Sequence, residues 1–204
     1  MFYNKIDRNS YFIGCAHLQH RNITRGESSW GDLNSTRDFE TTEDMTRAVM
    51  DSIQSIPENS TLFILGDMLF GDKNNFQHYI DNIPTKKLVY LYGNHCKWLR
   101  NRKDLHSNFL WIGDYLEMYY HHTLICMFHY PISVWNECHH GSFLLCSHSH
   151  GSFEPSTPEH KNSGKILDCG WDVHKKPISL NEVHAIMKEK QYEQKDHHNK
   201  DTTQ

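Results

Sequence analysis

The 204 residues carry 21 basic and 25 acidic side chains for a formal charge of −4, which argues against a basic stripe that binds long nucleic acid by bulk electrostatics. Mean hydropathy is low, yet aromatic residues are abundant and short apolar runs recur, so a folded chain is expected rather than disorder. No run approaches membrane-spanning length, Met1 to Lys5 contain no apolar leader core, and the six cysteines form no CxxC pair; the expectation is a soluble, intracellular protein with reduced thiols.

In chain order, Tyr11 to Gly14 reads as a first strand that stops at the polar turn Cys15-Ala16-His17-Leu18-Gln19-His20. Residues 21–40 are polar and read as a long surface loop. Thr41 to Ile56 is the clearest helix: Met45, Val49, Ile53 and Ile56 fall on one face, Thr41 or Thr42 serves as N-cap, and Pro57 follows. Thr61 to Leu65 is an apolar run typical of a strand covered on both faces, and it ends in Gly66-Asp67. Asn74 to Ile83 reads as a helix, and Lys87 to Tyr92 as a strand ending in Gly93-Asn94-His95. Residues 97–108 are ambiguous between loop and helix. Thr123 to Phe128 is a strand ending in His129, and Ser142 to Leu145 one ending in Cys146-Ser147-His148-Ser149-His150-Gly151. Residues 152–164 read as a loop and Ile166 to Trp171 as a last strand. Ser179 to Lys190 reads as a helix opened by a capping box of Ser179 and Glu182, and the polar tail 191–204 as frayed. One domain over residues 1–190 is expected.

Alternating strands and helices favour a layered α/β domain, in which residues at the carboxyl ends of strands gather on one edge. Five strand ends carry His17, Asp67, Asn94-His95, His129 and His148/His150. Each alone has a structural reading: Asp67 caps a turn, Asn94 takes a left-handed turn, His129 is a satisfied core histidine. Their joint placement after apolar strands is what chance does not supply. Imidazoles with a carboxylate and an amide oxygen suit Mn²⁺, Zn²⁺, Fe²⁺ or Ni²⁺ better than Ca²⁺. The donors exceed one closed tetrahedral site, and two ions about 4 Å apart, bridged by one carboxylate, would use them all.

With Gly66-Asp67, Gly93-Asn94-His95, His129 and His148-Ser149-His150-Gly151 following His17, the chain resembles the calcineurin-like metallophosphoesterases, most closely the short bacterial and phage type. Segments 15–23 and 170–183 extend the likeness over nearly the whole sequence. The resemblance implies a four-layer αββα sandwich of two mixed β-sheets flanked by helices. It implies a first metal on His17 and His150, Asp67 as bridge, and a second metal on Asn94, His129 and His148. His95 would contact the phosphate and protonate the leaving oxygen.

Two positions depart from the family pattern. Cys15 stands where a first-metal carboxylate belongs; as thiolate it would ligate at about 2.3 Å and favour zinc, and as thiol it would weaken that site. Cys96 stands where an acid orients the His95 ring, and thiol sulfur is a weak acceptor. His20, Arg21 and Asn22, together with Arg25, Lys97 and Arg100, are candidates to line the site and attract phosphate, though Arg25 and Arg100 read better as solvated loop residues. Trp98, Trp135 and Trp171 could stack a base or simply pack. The leading expectation is a hydrolase of small phosphoesters or nucleotides. The alternatives are a binding protein with an impaired site, and a nuclease; nucleic acid is the less favoured partner, and a membrane is not expected.

Overall fold

The computed structural model describes residues 5–31, 33–153 and 164–191, so most of the tail and of the loop expected at 152–164 lie outside the described residues. The three apolar runs become β1 (Ser10–Ile13), β2 (Thr61–Ile64) and β3 (Lys87–Leu91), which lie parallel with Ser10 opposite Thr61 and Thr61 opposite Lys87. Nearly all their residues are buried, as strands covered on both faces require. β4 (Trp111–Gly113) adds a parallel strand beside β3, and β9 (Ile178–Ser179) pairs antiparallel with β1. The order in this first sheet is β4-β3-β2-β1-β9.

The second sheet has the order β5-β6-β7-β8. β5 (Tyr115–Tyr120) and β6 (Thr123–Phe128) form an antiparallel hairpin, and β7 (Phe143–Cys146) and β8 (Ile166–Asp168) continue in parallel. The two mixed sheets pack face to face. Phe12, Phe63, Leu65, Val89 and Leu91 from one meet Met118, Ile125, Met127, Leu145 and Leu167 from the other. The opposite face of the first sheet is covered by α1 (Thr42–Gln54), α2 (Phe76–Asp81) and α3 (Lys97–Asn101), through Val49, Ile53, Phe76, Ile80 and Leu99. The outer face of the second sheet is covered by Ile132, Trp135 and Cys138, whose segment includes one 3-10 turn, Cys138–His140. This is the layered sandwich expected from the resemblance. Among the described residues no helix is long and apolar enough to cross a membrane.

α1 is capped by Thr41, whose side chain accepts from the Asp44 N–H, and α5 (Leu180–Glu189) opens with the expected capping box of Ser179 and Glu182. Several boundaries differ from expectation. β8, expected to run to Trp171 as the last strand, stops at Asp168, because Gly170 caps the short helix α4 (Trp171–His174), and β9 follows it. The helix expected from Asn74 begins as a 3-10 turn, Lys73–Asn75, whose Asp72 cap accepts from the Asn74 N–H. Residues 97–108 divide into α3 and a 3-10 segment, Lys103–Asn108. The loop expected at 21–40 contains three 3-10 turns.

Candidate metal centre

The carboxyl ends of β1, β2, β3, β6 and β7 point to one edge, and the turns leaving them carry the predicted side chains. The backbone there is unusual. Cys15, His17, Asp67, His148 and His150 all take positive φ, between 48° and 70°; only four other described non-glycine residues do so. Left-handed backbone costs an L-residue roughly 1 kcal/mol, and such strain concentrates where geometry serves a site. Each strand end thus turns sharply, and His148 and His150 converge rather than alternate.

Two glycines make room. Gly66 has φ +91°, and a Cβ on it would lie 2.4 Å from His129 Nδ1. A Cβ on Gly93 would lie 2.2 Å from Asp67 Oδ1 and 2.8 Å from His129 Cε1. The glycine before Asp67 and the one before Asn94 therefore let backbone pass directly behind the buried ligand candidates.

His129 is fully buried. Its Nδ1 lies 2.8 Å from the Leu65 carbonyl and 3.0 Å from Ser147 Oγ, whose own hydroxyl donates to that same carbonyl at 2.6 Å. Nδ1 is therefore the N–H side of the ring, and Nε2 presents a lone pair. That lone pair faces Asp67 Oδ2 at 3.2 Å and Asn94 Oδ1 at 3.0 Å, and Asn94 Oδ1 also lies 3.0 Å from His148 Nδ1. With Asn94 Oδ1 facing both rings, a cation among these acceptors, a proton on a ring or a metal ion, relieves their repulsion. Burial by itself would raise the Asp67 carboxyl, but in the metal-free chain its contact with His129, with His17 close by, holds it down at about 2. Burial and His129 keep the His148 imidazole below its usual range.

A second group adjoins the first. Donor atoms of Cys15, His17 and His150 lie within 4.8 Å of one another, as do those of Cys15, Asp67 and His129. That spread matches donors around one ion at bond lengths of about 2.0–2.3 Å. Cys15 has a single sulfur, so it stands between the two groups, while accepting from the His148 backbone N–H at 3.1 Å. Burial, then Asp67, push its thiol far up. His17 Nδ1 is buried with no hydrogen-bond partner, an orphan that a native interior rarely tolerates. Burial and His150 keep the His17 ring well below the usual imidazole range. The donor set, four imidazoles, a carboxylate, an amide oxygen and a sulfur, fits divalent transition metals.

One residue that sequence reasoning missed fixes this second group. Arg37 is buried in the middle of the polar stretch 21–40. It grips Asp172 through Nε at 2.8 Å and Nη2 at 2.9 Å, and donates to the carbonyls of Cys15 and Ala16 at 2.7 Å each. Asp172 accepts from His150 Nδ1 at 2.6 Å, which leaves His150 Nε2 unprotonated for a ligand. The carboxylate that fixes a ligating histidine's tautomer is a common feature of metal sites. Burial opposes the ionisation of Asp172, but His150 and Arg37 hold its carboxyl well below the usual range. Neither spacing nor flanking residues in the sequence pointed to Arg37.

The remaining candidates separate. Asn94, His95, His148 and His150 form the exposed rim above buried Cys15, His17, Asp67 and His129. The His95 ring lies 5.7 Å from His17, and its backbone N–H donates to Asp67 Oδ1 at 3.0 Å. Cys96 does not orient His95: its sulfur reaches Asp67 Oδ1 at 3.4 Å and the Tyr90 hydroxyl at 3.3 Å, and burial and Asp67 push the thiol to about 11. The side chain at 96 points back into the core because α3 starts at Lys97. His20 stacks against Phe70 near His17. Arg21 instead faces Glu27 at 3.8 Å, and Asn22 accepts from the backbone N–H and hydroxyl of Ser29, so both serve the loop. Arg25 pairs with Asp38, and Arg100 with Asp114. Trp135 and Trp171 are buried and donate to Ser142 and Ser52; Trp98 packs on Phe76.

No protein-family model matches the chain, and neither does any curated protein. Among solved structures, a protein of unknown function from Aquifex aeolicus is similar with a TM-score of 0.62 and 22% identity, over 87% of this chain and 98% of that one. The nuclease MPE of Pseudomonas putida gives a TM-score of 0.41 at 15% identity, over 70% of this chain and 61% of that one. The chain thus shares its fold with the Aquifex aeolicus protein.

Proposed function

We propose that the protein is a metal-dependent phosphoester hydrolase of the calcineurin-like metallophosphoesterase kind. The observation that carries this is the ring of lone pairs from Asp67, Asn94 and His129, next to the orphan nitrogen of His17, at one edge of the sandwich. Cys15, His17, Asp67 and His150 would hold one ion, and Asp67, Asn94, His129 and His148 the other. Divalent ions held there would supply Lewis acidity toward a phosphoryl oxygen and lower the pKa of a bound water. Asp67, ionised and buried between the groups, balances their charge. The Leu65 carbonyl holds His129 in its ligand tautomer, and Asp172 does the same for His150. His95 stands on the exposed rim with its backbone tied to Asp67, and delivers a proton to the departing ester oxygen. Small phosphomonoesters, phosphodiesters and nucleotides are the substrates in view.

Purified protein supplied in turn with Mn²⁺, Zn²⁺, Fe²⁺ or Ni²⁺ should hydrolyse nitrophenyl phosphate, its bis-ester or a nucleotide, and His95→Asn should lose turnover while keeping metal. No turnover with any metal or ester refutes the proposal.

The position of Cys96 favours a second reading, a binding protein on a catalytically weakened scaffold. No described carboxylate orients the His95 ring, and losing such a partner costs roughly 10- to 100-fold. A large gain of activity in Cys15→Asp/Cys96→Asp over an inert parent would favour this reading, and equal activity would count against it.

A further inference from the structure

Only five large hydrophobic side chains stand out as exposed among the described residues, and two of them, Trp30 and Phe70, lie together beside the metal centre at 42% and 38% exposure. Both are joined to it through His20. The His20 ring stacks on Phe70 with centroids 3.6 Å apart and meets Trp30 edge-on at 5.7 Å. Phe70 in turn lies 5.0 Å from the His95 ring and 6.3 Å from His17. The aromatic row Trp30, His20, Phe70, His95 therefore leads from open solvent to the rim where the leaving group would sit.

The row is held in place rather than draped over the surface. His20 is buried and its Nδ1 accepts from the Ile23 N–H, and the Phe70 N–H donates to the Leu18 carbonyl. The Lys73 ammonium lies 5.6 Å from the Phe70 ring, tethered to the Leu69 and Phe70 carbonyls. Exposed aromatic area fixed beside a polar centre costs free energy in water, and in binding proteins it is the usual platform for a planar ligand. The expected stacking residues Trp98, Trp135 and Trp171 serve the interior, and of the exposed large aromatic side chains among the described residues Trp30 and Phe70 are the pair joined to the site through His20.

We infer that Trp30 and the exposed side of Phe70 form an aromatic wall against which the planar organic group of the substrate packs, and that the substrate class is a nucleobase-bearing phosphoester rather than a sugar or alkyl phosphate. This rests on the hydrolase proposal for the location of the phosphoryl group. The charge of −4 and the absence of a basic stripe point to a mononucleotide or a short single strand rather than a duplex.

The test compares adenosine 5′-monophosphate with ribose 5-phosphate, which has an anomeric hydroxyl in place of the base, each as its non-hydrolysable phosphonate, by calorimetry on the Mn²⁺-loaded full chain. The nucleotide analogue should bind about tenfold more tightly. Phe70→Leu, which keeps apolar bulk without the ring, and Trp30→Ala should each weaken it far more than the ribose analogue, so that the ratio falls toward one. Equal affinities in the parent, a ratio unchanged in both variants, or no binding of either analogue would overturn the inference. Turnover of the two parent esters, measured alongside, separates the two proposals. Base-dependent binding without turnover of any ester sinks the hydrolase and leaves the wall standing. Turnover of both esters with equal constants sinks the wall alone.

Discussion

Removing the carboxylate of Asp172 should damage folding and metal binding together. Arg37 has a side chain 3% exposed and Asp172 one 14% exposed, so the pair is shielded from water. In Asp172→Ala the guanidinium stays buried with no counter-charge, left to the carbonyls of Cys15 and Ala16, the Met45 sulfur and the Trp171 ring. Stranding one member of a buried pair costs about 3–5 kcal/mol. For a chain of this size each kcal/mol moves Tm by about 2–4 °C, so metal-free Asp172→Ala should melt about 6–20 °C below the parent. The same change frees the His150 ring from its 2.6 Å partner, and Zn²⁺ affinity measured by calorimetry should fall about 10- to 100-fold. Asp172→Asn, which keeps an acceptor but not the charge, should fall between. A melting temperature within a degree or two of the parent, with unchanged Zn²⁺ affinity, would refute the coupling of Arg37, Asp172 and His150.

Other consequences can be checked directly. The Asp67 carboxyl titrates at about 2 in the folded metal-free chain against 3.8 when unperturbed, so its contribution is complete above about pH 4 and is lost as pH falls toward 2. Acid unfolding should therefore be shallower over that window in Asp67→Asn, and identical curves would contradict the geometry. Gly93→Ala places a Cβ against the Asp67 carboxylate; a loss of about 1–3 kcal/mol in denaturant melts is expected, with weaker metal binding. Cobalt-loaded protein should show a sulfur-to-metal charge-transfer band in the near ultraviolet that vanishes in Cys15→Ser; a band unchanged in the variant would remove Cys15 from the ligand set. Ser179→Ala should cost about 1 kcal/mol by removing the cap of α5, read from urea unfolding.

The parallel core was legible because burial on both faces leaves a continuous apolar run, as in Thr61 to Ile64 and Lys87 to Leu91. The ligand candidates were legible because each follows such a run at its carboxyl end. β4 and β5 escaped notice. Trp111–Gly113 is only half-buried, and Tyr115–Tyr120 alternates about Glu117 and Tyr119 with Asp114 as its only break from β4. Local pattern does not show a chain that leaves one sheet and enters the other after a single residue. The Arg37–Asp172 clamp joins positions 135 residues apart, and an arginine in a polar stretch that also carries Arg21 and Arg25 looks like a solvated one. The exposed aromatic wall was hidden for a related reason. Tryptophans near motif ends looked available, but Trp135 and Trp171 each satisfy their indole N–H inside, whereas Phe70, three residues beyond Asp67, keeps part of its ring exposed.

The most direct test of a dinuclear centre is metal content. Elemental analysis of the purified chain, incubated with Mn²⁺ or Zn²⁺ and freed of excess ion, should give two ions per chain, falling in Asp67→Asn and in His129→Phe. A chain that retains no divalent ion under those conditions, or one whose ion content is indifferent to both substitutions, would contradict the assignment of this edge of the sandwich as a metal centre.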